Sequence, residues 1–302
     1  MPRVTVIALC YNHAAFVEEA LMSILNQKEV IPEVIVVDDA SSDDSKSIIQ
    51  SFLAKHNVEW KFIDHKENLG NCKSFNEALL LATGDYIIDF ATDDVLFDNR
   101  LFEQITFFDQ QNDNVGLIHS NANYINNIGR QLGTHSSIVL KGKPVPQGDV
   151  FTDVLSRYFI CPPTMMFRRR CALEIGGYDN SLAYEDFDFL LRFSRKWHIL
   201  YQNKPLTYYR KHDASLGQAF NKNPMLHLST AISCQKIYPF LTTKAEKKAF
   251  NRRVKYQIRE AWRDNAFRAV IRLTGLLEEI NALPFHYRIL KNLAYQRNKF
   301  LS

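Results

Sequence analysis

No run among the 302 residues approaches the roughly 18 consecutive apolar residues that a membrane-spanning helix needs. The first apolar segment, Val4 to Leu9, is too short for the hydrophobic region of a secretory leader. Cysteine is scarce as well. Cys10, Cys72, Cys161, Cys171 and Cys234 are scattered, odd in number and form no CxxC. That excludes a disulfide framework or zinc ribbon and fits a reducing cytoplasm. Neither GxGxxG nor GxxxxGK[ST] occurs, so no dinucleotide fingerprint or P-loop is indicated. What remains is a composition 46% hydrophobic and 23% charged, that of a folded chain with a sizeable core in one large domain or two.

The net charge of +4 hides an asymmetry. Residues 244–302 carry 14 Lys/Arg against 5 Asp/Glu, a net of +9, whereas residues 1–243 are net −5. A boundary is expected near 215–243, where Gly217, Pro224 and Pro239 interrupt helical patterns.

Along the acidic part, short apolar runs alternate with helical periodicity. Val4–Leu9, Val34–Val37, Trp60–Ile63 and Tyr86–Phe90 read as buried strands. Between them, apolar residues recur at helical spacing around 16–25, 48–53 and 74–83. Such alternation predicts an α/β fold with a mostly parallel sheet covered on both faces. Val115–His119 and Met165–Arg168 look like further strands, and the polar stretch 126–148 reads as loops. Ligands of such sheets sit beyond the carboxyl ends of the strands. Two of these ends carry paired acids, VIVVDDAS and DFATDDV. Asp93 and Asp94 side by side admit two readings, a solvated helix start or a divalent cation holding an anion. Later, Glu185, Asp186 and Asp188 precede an amphipathic helix whose Phe189, Leu190 and Phe193 face inward, and the strand-like LTYYRKHDAS delivers His212. Acids at a helix start also suit its dipole, so this cluster has a plain structural reading too.

Five segments in order, VTVIALCYN, VIVVDDASSDDS, ENLGNCKSFNEALLLATGDYI, ATDDV and GGYD…YEDFDFLLR with YYRKH, resemble the inverting family 2 glycosyltransferases of the GT-A fold. The resemblance covers roughly residues 3 to 215. It implies a Rossmann-like GT-A domain over 1–215, with 1–110 binding the nucleotide-sugar and 111–215 holding acceptor and base. Residues 216–302 would be an appended basic, amphipathic helical region. Residue by residue, the resemblance implies that Tyr11, with Leu9 beside it, packs against the nucleobase. Asp39 accepts a hydrogen bond from that base, with Asp38 as the alternative, and Asn68 and Lys73 line the nucleotide. Asp93 and Asp94 form the Mn²⁺ or Mg²⁺ and ribose-diphosphate motif, His212 lies near the metal, and Asp186 is the catalytic base. The implied donor is a nucleotide-sugar, commonly a UDP-sugar. The implied acceptor is a glycan or lipid-linked hydroxyl of a cell-surface polysaccharide, reached in the cytoplasm or on the inner face of the plasma membrane.

Two positions depart from the family pattern. Ala91 stands where many members have the first carboxylate of Asp-x-Asp-Asp, and Asp89, two residues away, is displaced by about 6.6 Å along a strand. Leu9-Cys10 replaces the usual proline before Tyr-Asn. The chemistry still matches the residue types. Inversion needs one displacement, an acidic metal site and one separate base, and no covalent nucleophile. Glycosidases pair carboxylates across a single bond without requiring a metal. Two other readings compete: a sugar-nucleotide-binding partner that has lost catalysis, and a nucleotidyltransferase on a related fold. The latter commonly has a Gly-rich, Arg-containing first loop, which ALCYNHAAF is not.

In the tail, Val254, Ile258, Trp262, Ala266, Val270, Leu273 and Leu277 recur at helical spacing, with Arg252, Arg253, Arg259, Arg263 and Arg272 among them. This predicts an amphipathic helix that either docks on the protein or lies on an anionic membrane surface. Nucleic acid is not an expected partner, because the basic residues accompany no recognition motif.

Overall fold

The computed structural model describes residues 3–212, 223–280 and 283–299. The boundary expected at 215–216, with Gly217, lies outside the described residues. Two compact units are present. The first comprises 1–150, 159–180 and 193–212, and the second 151–158, 181–192 and 213–302.

The first unit is built on nine strands: β1 (Val4–Cys10), β2 (Glu33–Asp38), β3 (Lys61–Asp64), β4 (Tyr86–Ala91), β5 (Val95–Leu96), β6 (Val115–Asn126), β7 (Gln131–Thr134), β8 (Met166–Arg168) and β9 (His198–Lys211). They form one sheet in the order β3-β2-β1-β4-β8-β6-β9-β5, with β7 beside β6. β3, β2, β1 and β4 run parallel, and β6 and β9 pair parallel to each other. β5, β7 and β8 run opposite to their neighbours, so the sheet is mixed, with a parallel left half. Helices α1 (Val17–Leu25), α2 (Ser45–His56) and α3 (Asn71–Leu81) each connect one parallel strand to the next. Such connections demand a crossover, which is why strand and helix alternate in the sequence.

Strand parity sets the core. Val4, Val6, Ala8 and Cys10 of β1 and Tyr86, Ile88 and Phe90 of β4 share one face. That face packs on Val17, Ala20, Leu21 and Ile24 of α1 and on Leu101, Ile105 and Phe108 of α4 (Arg100–Asp109). Each Val, Leu, Ile or Phe side chain among them contributes about 1.5–3 kcal/mol when fully buried. Gly84 enters β4 where an added Cβ would meet the backbone of Val4 and Thr5 at 2.7 Å, so the close approach of this turn to β1 requires glycine.

The stretch 126–148, read from sequence as loops, instead contains β7 and a short π-helical turn, Ser136–Leu140. Asn121 explains part of this, because its Oδ1 accepts from Ser136 N at 3.0 Å and binds the turn to the sheet. β9 is longer than its sequence pattern suggests. It keeps step with β6 through register shifts, one of which lies beside Pro205.

The second unit holds α5 (Phe151–Ser156), most of α7 (Asp186–Ser194), and α8 (Pro224–Ile237), α9 (Lys244–Arg263), α10 (Phe267–Glu279) and α11 (Phe285–Lys299); α6 (Arg169–Glu174) belongs to the first. α9 starts in a capping box, with Thr243 Oγ1 accepting from Glu246 N and Glu246 Oε2 accepting from Thr243 N, both at 3.1 Å. The single helix expected over 250–277 is two, broken at Asp264–Ala266, where Asn265 takes a left-handed φ of 57°. The five cysteines are all buried. Among the described residues no helix is long and apolar enough to cross a membrane.

Arg100 links several elements of the first unit. It is fully buried and donates to Gln104 Oε1, Thr207 Oγ1 and the carbonyls of Pro163 and Met165 at 2.8–3.2 Å. Replacing Arg100 by leucine leaves these acceptors unsatisfied in a dry site, each at a cost of about 1–3 kcal/mol. Urea unfolding is therefore expected to register a loss of about 3 kcal/mol or more, and an unchanged midpoint would show that these acceptors find other donors.

Candidate active site

The carboxyl ends of β1, β2 and β4 lie side by side because the three strands are neighbours in register, with Cys10 opposite Asp38 and Leu9 opposite Ala91. Asp38 is fully buried, and its two oxygens accept from Ser41 N at 2.9 Å and Ser41 Oγ at 2.7 Å. It shapes the turn after β2. Asp39 works across the loops. Its Oδ1 pairs with His65 Nδ1 at 2.8 Å and accepts from Leu69 N at 2.9 Å, and its Oδ2 accepts from Gly70 N at 2.8 Å. Burial pushes the Asp39 carboxyl upward, but these donors outweigh it and hold it below the ordinary value. The same pairing, with Glu77 Oε2 on the other ring nitrogen at 2.9 Å, raises His65 against the effect of its burial. Asp39 thereby fixes the segment that presents Asn68 and, at the start of α3, Lys73, both exposed. Tyr11 follows β1 and is 47% exposed, whereas Leu9 is buried and its carbonyl accepts from Thr92 N at 3.0 Å.

Asp93 and Asp94 follow β4 and are both buried. β5 begins at once and pairs with β9 at Tyr208 and Thr207, which draws the end of β9 over the acidic turn. His212 Nε2 meets Asp93 Oδ2 at 2.9 Å. Arg210 N donates to Asp94 Oδ1 at 2.7 Å, and its Nε donates to the Asp93 carbonyl at 2.8 Å. The buried guanidinium also donates to Glu19 Oε2 at 2.6 Å and lies 4.7 Å from the centre of the Phe16 ring. Sequence reasoning missed Arg210. The only signal was its position two residues before His212, on the same face of a strand. The two carboxyls are driven apart: burial and the Asp93 charge push Asp94 well up, whereas Asp93, despite burial, is held low by His212 and His13. Asp89 is engaged elsewhere, its Oδ2 accepting from Tyr178 Oη at 2.7 Å.

Among the described residues no three His, Cys, Asp or Glu side chains cluster as ligands. The adjacent pair that could hold a cation is Asp93 with His212. Those two fit a hard divalent ion of the kind that takes one or two protein ligands and completes its shell with phosphate oxygens and water.

Asp186 belongs to the second unit, half-buried in the first turn of α7. The Tyr158 hydroxyl, on a residue 41% exposed, hydrogen-bonds it. Asp188 is turned to Arg192, with Nε to Oδ2 at 2.6 Å. Beneath, Arg253 is buried, donates to the carbonyls of Leu155 and Val154 and lies 4.8 Å from the centre of the Phe187 ring.

A model of the family described as Glycosyl transferase family 2 matches residues 5–176. The chain belongs to that family. Its family 2 segment includes the three strand ends above and stops before Asp186 and His212. The chain is similar to the putative glycosyltransferase EpsE of Bacillus subtilis (strain 168), 29% identical over 203 residues, covering 64% of this chain and 66% of the relative. It is also similar to a poly-beta-1,6-N-acetyl-D-glucosamine synthase of Staphylococcus epidermidis, 28% identical over 183 residues, covering 59% of this chain and 42% of the relative. In both cases the family 2 chain spans less than two thirds of the relative's length. Two solved structures share the GT-A-like fold over 98% of the chain. One is the mannosyltransferase PcManGT of Pyrobaculum calidifontis in complex with GDP-Man and Mn²⁺, at TM-score 0.65, 18% identity and 85% of that chain. The other is S. aureus TarS 1–349 in complex with UDP-GlcNAc, at TM-score 0.66, 17% identity and 87% of that chain.

The Asp39–His65 pair gives a pH dependence with a definite sign. A lowered Asp39 stabilises the fold above the carboxyl's ordinary value of 3.8 and loses that contribution as pH falls through its folded value. A raised His65 stabilises below its ordinary 6.5 and loses the contribution as pH rises through its folded value. The stability difference between wild type and His65→Gln should therefore peak at about 1–2 kcal/mol between about pH 4 and 6.5 and shrink on either side. Chemical denaturation across about pH 3 to 9 reads this directly. A difference independent of pH would mean that His65 carries no charge in the pair.

Proposed function

We propose that this protein is a metal-dependent, inverting glycosyltransferase that moves a sugar from a nucleotide-diphosphate donor to an acceptor hydroxyl. The observation that carries the proposal is the Asp93–His212 pair at the end of β4, in the same unit as the Asp39 loop clamp, within a family 2 chain. Leu9 and Tyr11 would line the nucleoside, and Asp39, whose Oδ2 retains lone-pair capacity beyond Gly70, would accept from the base. Asn68 and Lys73 would meet the rest of the nucleotide. Asp93 and His212 would hold Mn²⁺ or Mg²⁺, with Asp94 as the buried second carboxyl that fixes the turn through Arg210. The ion, when bound, neutralises charge on the diphosphate.

Inversion follows from a single displacement, in which the acceptor oxygen forms the new bond at the anomeric carbon as the bond to the diphosphate breaks. Asp186 would take the hydroxyl proton. As a carboxylate at the start of α7 it has the helix dipole on its side, and the Tyr158 hydroxyl holds it in place. UDP-sugars are the proposed donors, supported by the UDP-GlcNAc complex of TarS, although the PcManGT complex holds GDP-Man. The proposed acceptor is a glycan or lipid-linked hydroxyl in cell-surface polysaccharide synthesis at the cytoplasmic side of the membrane, a reading supported by the polysaccharide synthase among the relatives.

UDP should raise the melting temperature only with Mn²⁺ or Mg²⁺ present, and Asp93→Asn should abolish that rise. Equal stabilisation by UDP in EDTA would remove the ion from the proposal.

Asp186→Asn separates binding from chemistry. The variant should keep the metal-dependent UDP shift while sugar transfer falls by about 10²-fold or more, the scale of general-base removal. Near wild-type transfer would move the base elsewhere.

A further inference from the structure

The tail's helices differ in what their apolar residues touch. Val254 and Ile258 of α9 and Val270, Leu273 and Leu277 of α10 are all buried. The face that helical spacing had marked as available for a membrane is thus internal. α11 is different. Tyr287 and Ala294 are buried, while Phe285, Ile289 and Leu293 are 76%, 47% and 40% exposed. Residues four apart drift by only about 40° around a helix, so these three form one outward stripe about 12 Å long. A contiguous exposed apolar stripe on a surface helix marks an interaction site, unlike single exposed apolar residues.

Charge selects the partner. α11 contains Arg288, Lys291, Arg297 and Lys299 and no acidic residue. Arg288 is exposed and sits between Phe285 and Ile289 in sequence, at the border of the stripe. Arg268 and Arg272, also exposed, line a cavity of about 630 Å³ with Glu279 and with Lys291 and Tyr295 of α11, and Lys291 is ion-paired with Glu278. A second copy packing this same face would bring the same basic residues of α11 against it, whereas a bilayer with anionic headgroups would attract it.

We propose that α11 is an interfacial helix that seats Phe285, Ile289 and Leu293 at the headgroup–acyl boundary of an anionic bilayer, with Arg288 against the lipid phosphates. The rest of the tail's positive charge supplies the attraction that brings it there. The inference is independent of the glycosyltransferase reading, because no residue of the candidate active site takes part.

Full-length protein would be sedimented with phosphatidylcholine vesicles and with vesicles containing about one third phosphatidylglycerol, at low and high salt. Binding is expected on the anionic vesicles only, weakening as salt rises. The variant Phe285→Ser/Ile289→Ser/Leu293→Ser changes exposed residues alone, and its circular dichroism and melting temperature report whether it folds as wild type does. It should bind the anionic vesicles at least tenfold more weakly, and Arg288→Gln should weaken binding severalfold at low salt. Equal binding by the triple-serine variant and wild type would overturn the proposal, leaving only a diffuse basic attraction. It would also be overturned if wild type ignores anionic vesicles at low salt. A dimer in sedimentation equilibrium that the triple variant dissolves, without vesicle binding by either protein, would reassign the stripe to self-association.

Discussion

Two carboxyls on consecutive residues at the end of a buried strand repel, by roughly 3 kcal/mol for unit charges about 5 Å apart in an effective dielectric near 20. This chain meets that constraint by giving the two different partners. Asp94 accepts from the backbone N–H of Arg210, and burial together with the Asp93 charge pushes its carboxyl well above the ordinary value. Asp93 keeps its charge against His212. The Arg210 guanidinium then holds the Asp93 carbonyl and Glu19, so one residue fixes both carboxyls, through its main chain for one and its side chain for the other. The course of the sheet follows from this requirement. β9 has to run 14 residues beside β6 and end against β5, because only there do Arg210 and His212 reach the turn after β4.

The neighbouring strand end shows the opposite electrostatic arrangement. Asp39 is buried yet held below the ordinary carboxyl value, since two backbone N–H groups and His65 converge on it. Hydrogen bonds to the charged form overcome desolvation when they are this numerous. Asp38, one residue earlier, is equally buried but serves only its local turn. At the β4 end the acids are thus divided in labour, Asp94 held by the Arg210 main chain and Asp93 turned to His212, whereas at the β2 end both brace backbone, Asp38 in its own turn and Asp39 across the loops.

That division explains what was legible in the sequence. The alternation of strands and helices up to Phe90 was readable because β1, β2 and β4, covered on both faces, are mostly apolar. β3, read as a buried strand from Trp60–Ile63, is instead the sheet's edge strand, with Lys61 exposed and the rest half-buried. The strand ends were readable as a candidate site because acids there have no packing role. The segment 126–148 was not readable. Its π-helical turn is held by Asn121, 15 residues before Ser136 and outside the segment, and the segment's own composition carries no trace of that bond. Arg210 was hidden for a related reason: a buried arginine in a strand looks like an exposed one until the carbonyls and the glutamate it meets are known. The GGYD segment carried a family resemblance without a physical reason. The structure supplies one, since Gly177 has a φ of 67° and lets Tyr178 N reach Asn76 Oδ1 at 2.8 Å and Tyr178 Oη reach Asp89.

The tail separates two things that charge and periodicity conflate. Helical spacing in α9 and α10 marked a face that is real but internal, and Arg253, counted among the basic residues, lies buried under carbonyls. Net charge is a property of composition, whereas a surface is a property of which side of each helix faces solvent. α9 and α10 resolve their amphipathic pattern in the usual way, apolar inward and polar outward. α11 has apolar residues on both sides, with Tyr287 and Ala294 inside and Phe285, Ile289 and Leu293 outside. A helix apolar on two faces cannot satisfy both against one core. Its outer face is the one for which we propose a second apolar phase, an anionic bilayer, because basic residues stand beside it.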